Sequence, residues 1–175
     1  MGNVKIINQE VVFKGKLVTL RVDRIQEDGC PESVREIVAV PNAVCVVARP
    51  TPDQVILIQQ YRHATGRVLM EVPAGGLKPD EDPRLAAIRE LEEETGYKAG
   101  EMAERGGFWM TPGFTTEFMH VYEAAGLVKT LINPDEDEVI EVDIVSNHDA
   151  FRMIDDGRIQ DSKSIASLLK VLTRR

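Results

Sequence analysis

Residues Gly75–Tyr97 read GGLKPDEDPRLAAIRELEEETGY, and this stretch decides the fold. Asp82 is a good N-cap, and Pro83 suits the first helical position, where a missing N–H costs nothing. Leu85, Ile88 and Leu91 recur at helical period and predict a buried stripe. Gly96 is a natural helix stop. On such a helix Glu90, Glu93 and Glu94 stand at i, i+3 and i+4 and share one face. Glu90 and Glu94 repel at that spacing, and both crowd the C-terminal half, where the helix dipole disfavours negative charge. A bound dication reverses both penalties, and carboxylate oxygens are the donors that magnesium and manganese prefer. Taken alone, a glutamate run is more often a solvated face, here steadied by an Arg89–Glu93 pair. The spacing of the other residues in the stretch weighs against that reading.

Outward from the helix the chain reads as strands on the N-terminal side. Val11–Phe13, Val18–Ile25 and Val34–Val40 are β-rich, punctuated by Gly15 and an Asp28-Gly29 turn. Ala43–Ala48 and Gln54–Gln60 are two apolar strands around the turn-rich Arg49–Asp53. Pro73–Gly76 reads as a loop leading into the helix. Strands resume near Gly106–Met110, Glu117–Ala124 and Val139–Val145, with an acidic loop at Asp135–Glu138. Helices follow from about Asn147 to Asp156 and from about Ser162 towards Arg174. The pattern predicts an α/β (α+β) fold, an α/β/α sandwich with a mixed sheet, rather than a regular βαβ repeat. A small antiparallel sheet over residues 1–40 is expected to precede the main domain at 41–175.

The 175 residues suit one compact domain or one domain with a small appendage, and 43% hydrophobic with 29% charged residues is ordinary for a soluble protein. A net charge of -8 argues against a nucleic-acid partner, since phosphate-backbone sites are basic. A small anionic substrate would need metal ions or local arginines to offset the repulsion. Cys45, inside an apolar run, reads as a buried free thiol, and no Cys/His spacing suits zinc. No signal pattern opens the chain and no apolar run could span a membrane, so a cytoplasmic location is expected.

The stretch resembles the Nudix box: glycine, five residues, glutamate, seven residues, then Arg-Glu-aliphatic-x-Glu-Glu-x-Gly-aliphatic. Gly75, Glu81, Arg89, Glu90, Leu91, Glu93, Glu94 and Gly96 match it. Tyr97 departs from it, where the family usually has an aliphatic core residue. The resemblance implies a metal site with Glu90 and Glu94 as ligands and Glu93 as a ligand or a partner through water. The Ala74 carbonyl would complete it. It also implies that Glu81 and Arg89 form the ion pair that orients the loop against the helix.

Further residues are similar to the ADP-ribose pyrophosphatase subfamily. Pro112 stands fifteen residues beyond Tyr97 in Thr111–Glu117, similar to that subfamily's S-P-G-x-T-x-E loop. Leu69–Gly75 looks like its L-x-E-x-P-A-G lead-in, and Gln59–Arg62 like a strand end whose arginine, here Arg62, contacts substrate. Asp135–Glu138 resembles its acidic loop, with Glu138 at a metal-contacting position and Glu136 as a proposed general base. A solvated charge run is an equal reading. The resemblance further implies a homodimer in which the N-terminal sheet swaps onto the second subunit. Arg35 and Glu36 would then contact substrate, and Leu17 with Lys16 would line the base pocket.

The implied reaction is magnesium-dependent hydrolysis of nucleoside diphosphate sugars, with manganese as a substitute. ADP-ribose would give AMP and ribose 5-phosphate. The general base stays open between Glu136, Glu93 and Glu117. GDP-mannose or broad nucleotide-sugar hydrolysis is the nearest alternative. A non-catalytic module that binds ADP-ribose is a more distant one, because all the carboxylates of the box are present.

Overall fold

The computed structural model describes residues 3–131 and 139–173. Its contacts divide the chain into two units, Met1–Asn42 with Trp109–Phe118, and Ala43–Phe108 with Met119–Arg175.

The first unit is an antiparallel meander of β1 (Val4–Lys14), β2 (Thr19–Glu27) and β3 (Ser33–Ala39), in the order β1-β2-β3. Pairing sets strand length here. The sequence marks only Val11–Phe13 as β-rich, but β1 runs back to Val4 because β2 offers partners as far as Glu27. All of β1 is exposed, including Val4, Ile6, Val11 and Phe13. The segment Trp109–Phe118 joins this unit through β3. Val38 N–H donates to Phe114 O at 2.7 Å, and Thr116 N–H donates to Val38 O at 3.1 Å. Val40 N–H also reaches Thr116 Oγ1 at 3.0 Å.

The second unit is built on β4 (Ala43–Ala48), which is buried along its whole length. The strands that follow are β5 (Gln54–Arg62), β6 (Arg67–Glu71) and β7 (Ala74–Gly76). After α1 (Pro83–Thr95) come β8 (Tyr97–Lys98), β9 (Glu101–Trp109), β10 (Phe118–Ala125) and β11 (Val128–Lys129). Then β12 (Ile140–Ser146), α2 (Asn147–Asp155) and α3 (Ser162–Leu172) end the order. One sheet has the order β7-β4-β10-β9 and is mixed, with β4 parallel to β10 and antiparallel to β7. A second has the order β12-β5-β6, all antiparallel, and β8 pairs with β11.

Strand alternation explains the layering. Val44, Val46 and Ala48 of β4 form a core with Ala86, Ala87 and Leu91 of α1 and with Tyr122 and Ala124 of β10. The intervening Cys45 points the other way, towards Ser167 of α3. Burial pushes its thiol up to about 12, so this cysteine is an inert packing group. Helices on both faces of one mixed sheet make the expected α/β/α sandwich.

Two expectations are corrected. Pro73–Gly76 is not simply a loop, because Ala74–Gly76 pairs with Ala43–Cys45 as β7. The stripe of α1 is also rotated, since Leu85 is 62% exposed and the buried residues are Ala86, Ala87, Leu91, Glu94 and Thr95. Alanines let the helix axis sit close to β4, and the turn of the stripe takes Glu94 inward. No helix among the described residues is long and apolar enough to cross a membrane.

Candidate functional site

Local sequence fixes both ends of α1. The Asp82 carboxylate accepts from Arg84 N–H at 2.9 Å and from Leu85 N–H at 3.2 Å. Gly96, at φ 67°, closes the helix by donating its N–H to Glu92 O at 3.0 Å. A residue with a Cβ would be strained in that left-handed conformation. Between these caps the helix presents Glu90, Glu93 and Glu94 to β7 across a cavity of about 290 Å³. Its wall consists of Arg62, Ala74, Gly75, Gly76, Lys78, Arg89 and the three glutamates.

Gly75 is required by contact rather than by backbone angle. A Cβ placed on it would lie 2.0 Å from Glu90 Oε1 and 2.1 Å from its Cδ, so the glycine vacates the space that the carboxylate fills. Glu94 is only 2% exposed, and it accepts a hydrogen bond from Ala74 N–H at 2.8 Å. This bond ties the helix to β7 at the point where the cavity begins.

Arg89 is the hub of the wall. Its Nε and Nη2 donate to the two oxygens of Glu81, each at 2.9 Å. Its Nη1 donates to Glu90 Oε1 at 2.7 Å and to Glu93 Oε2 at 3.0 Å, and Nη2 also reaches Gly76 O at 3.3 Å. These bonds occupy the five N–H donors of a guanidinium, which fixes the side chain as a strut. The Arg89 contact, helped by Lys78 N–H, holds the Glu81 carboxyl down at about 2.

The Glu81–Arg89 pair also sets acid stability. Glu81 folds with its value depressed below the ordinary 4.5, so its stabilisation is complete above that pH and is lost as pH falls towards 2. Urea midpoints measured from neutral pH to pH 2 should fall over this window. Replacing Glu81 with Gln should remove part of that fall, and an unchanged acid slope would count against the pair as its source.

The donor set suits a hard divalent cation, with three carboxylates and a backbone carbonyl around one cavity and no sulfur or imidazole in its wall. Among the described residues no three acidic, histidine or cysteine side chains converge at ligating geometry. Glu90 and Glu93 turn instead to Arg89, and Glu94 turns to Ala74 N–H. A cation at this face would therefore compete with an internal one.

The other residues singled out in the sequence fall in three places. Arg62 lines the cavity, and its guanidinium grips Glu71. Leu17, Arg35, Glu36, Pro112 and Glu117 belong to the first unit. Leu17, Arg35 and Glu36 are exposed there, and Pro112 opens a turn closed by Thr115 N–H to Thr111 O at 2.9 Å. Glu136 and Glu138 lie outside the described residues. Sequence reading missed Lys163. It is a helix residue in a polar stretch, but it is 8% exposed and paired with the buried Glu71. No local signal marks a pair whose members are 92 residues apart.

A family model described as NUDIX domain matches residues 39–168. A methanol dehydrogenase activator of Bacillus methanolicus is 39% identical, over 94% of this chain and 90% of its own. An ADP-ribose pyrophosphatase of Bacillus subtilis is 36% identical, over 91% and 88%. A GDP-mannose pyrophosphatase of Yersinia enterocolitica is 34% identical, over 95% and 94%. Among solved structures, the crystal structure of an ADP compounds hydrolase matches with a TM-score of 0.86, covering 96% of this chain and 91% of that one. At 24% identity that likeness speaks for the fold alone.

Proposed function

This chain belongs to the Nudix family, and we propose that it hydrolyses the pyrophosphate bond of nucleoside diphosphate sugars, ADP-ribose foremost. The observation that carries the reading is a single cavity lined by Glu90, Glu93, Glu94 and Arg62, with Gly75 making room for the Glu90 carboxylate. An ADP-ribose pyrophosphatase and a GDP-mannose pyrophosphatase among its relatives set the substrate class.

Nudix hydrolases need a divalent metal, and magnesium, with manganese as a substitute, is the ion we infer. Glu90, Glu94 and the Ala74 carbonyl would hold it, with Glu93 as a further ligand or a partner through water. When bound, such an ion neutralises the pyrophosphate and acidifies water. Arg62 supplies a permanent cation for a phosphate oxygen, which an acidic protein needs in order to hold an anionic substrate. In the reaction a water oxygen bonds to one phosphorus, the P–O–P bridge breaks, and a glutamate takes the water proton. Glu93 is the base supported by its place in the cavity wall; Glu117 and Glu136 are the alternatives. AMP and ribose 5-phosphate are the products from ADP-ribose.

We further infer a cytoplasmic location, no nucleic-acid partner, and a homodimer in which the N-terminal sheet serves the second copy. Arg35, Glu36 and Leu17 would reach substrate there, and Glu138 would add to the metal site. The exposed apolar residues of β1 and Leu17 support a partner surface. A single-chain mass by light scattering would remove the dimer.

A substrate panel tests the activity. Pure protein with magnesium is incubated with ADP-ribose, GDP-mannose, other nucleotide sugars, NADH and diadenosine polyphosphates, and the products are separated. Conversion of ADP-ribose to AMP is the expected result. Preference for GDP-mannose would keep the chemistry and change the substrate. Binding of ADP-ribose with no cleavage of any compound would replace the enzyme by a binding module.

A further inference from the structure

Arg62 sits at the end of β5 in a wall that also holds Glu90, Glu93 and Glu94. A long, flexible cation in such company would collapse onto the nearest carboxylate and cancel it. Here the guanidinium is held from behind. Its Nε donates to Glu71 Oε1 at 3.0 Å and its Nη2 to Oε2 at 2.7 Å, a two-pronged grip on a carboxylate only 1% exposed.

Glu71 serves a second cation. Lys163 Nζ, on the first turn of α3, bonds Glu71 Oε2 and also Asp161 Oδ2, the latter at 2.9 Å. Asp161 is itself pinned as the cap of α3, accepting from Ser164 N–H at 2.9 Å and from Ser164 Oγ–H at 2.6 Å. Ser164 Oγ in turn accepts from Val72 N–H at 2.9 Å, next to Glu71. Charges alternate along the row Arg62, Glu71, Lys163, Asp161. Glu71 is shared, so Arg62 is oriented without being fully neutralised. Lys163 stands outside the cavity wall.

We propose that Glu71 and Lys163 are positioning residues that hold the Arg62 guanidinium, oriented and still cationic, at the wall of the catalytic cavity. The inference rests on the reading that Arg62 binds a substrate phosphate. It assigns α3 a part in substrate affinity, beyond its packing on β4.

A double-mutant cycle on ADP-ribose hydrolysis tests this. Lys163→Met, Glu71→Gln and Arg62→Ala are made singly, and the first two are also combined with the third. KM and kcat are measured for each variant, with a thermal melt as a check of folding. Lys163→Met and Glu71→Gln should each raise KM about tenfold and leave kcat within about twofold. In the Arg62→Ala background either change should move KM by less than about twofold, because their route is already gone. Glu71→Gln keeps the shape and an acceptor oxygen, so it reads the same coupling even where Lys163→Met loses its cooperative melt. If Arg62→Ala raises KM while the other two have no effect, or have the same effect in both backgrounds, the positioning role is overturned and the phosphate contact stands. If Arg62→Ala leaves KM unchanged, the phosphate contact fails and the positioning role fails with it.

Discussion

Glu94→Gln should lower kcat about a thousandfold with saturating magnesium while the melting temperature changes little. The ligand charge carries the effect. A bound cation supplies several kcal/mol of charge stabilisation, and losing about 4 kcal/mol of it corresponds to three decades in rate. The fold should survive because the amide oxygen of glutamine can still accept the Ala74 N–H bond that the carboxylate now takes at 2.8 Å. Steady-state kinetics with a melt on the same sample separate the two effects. Turnover within tenfold of the parent would remove Glu94 from the metal site.

Gly75→Ala is the second large effect, expected at about a hundredfold in kcat, the cost of moving a reacting group by about 1 Å. Gly75 is not one of the glycines at positive φ, so alanine meets no backbone penalty. The new Cβ instead falls 2.0 Å from Glu90 Oε1 and drives that carboxylate out of place. The colliding group is the far end of a flexible side chain, so it can swing aside and spare the fold. Activity should therefore fall far more than stability. The loss should also vanish in a Glu90→Gln background, where there is no ligand left to displace. An equal drop there would mean that the alanine acts by some other route.

The sequence announces α1 at both ends, because Asp82, Pro83 and Gly96 act through their own backbones and need no distant partner. The same locality makes Glu90, Glu93 and Glu94 visible as one face. Other features depend on partners far along the chain. Ala74–Gly76 has no strand composition, and it becomes β7 only because β4 offers its edge. Leu85 looks like core by period, but the alanines one and two residues on take the buried side. Lys163 reads as an ordinary charged residue, and nothing in the Leu69–Gly75 lead-in tells that its Glu71 has a partner on α3, until β6 and α3 bring the two together in a buried pair. The first unit is legible as strands, whereas its fourth component, Trp109–Phe118, is not, since nothing near those residues points back to Val38.

That discontinuity matters when the protein is made. Val40 and Thr116, bonded in the finished molecule, are 76 residues apart. At a synthesis rate of about 5–20 residues per second, β3 waits roughly 4–15 s for the piece that completes it. Until then the backbone groups of Val38 and Val40 lack the partners that Phe114 and Thr116 supply, and a pause in translation before Trp109 would lengthen that wait.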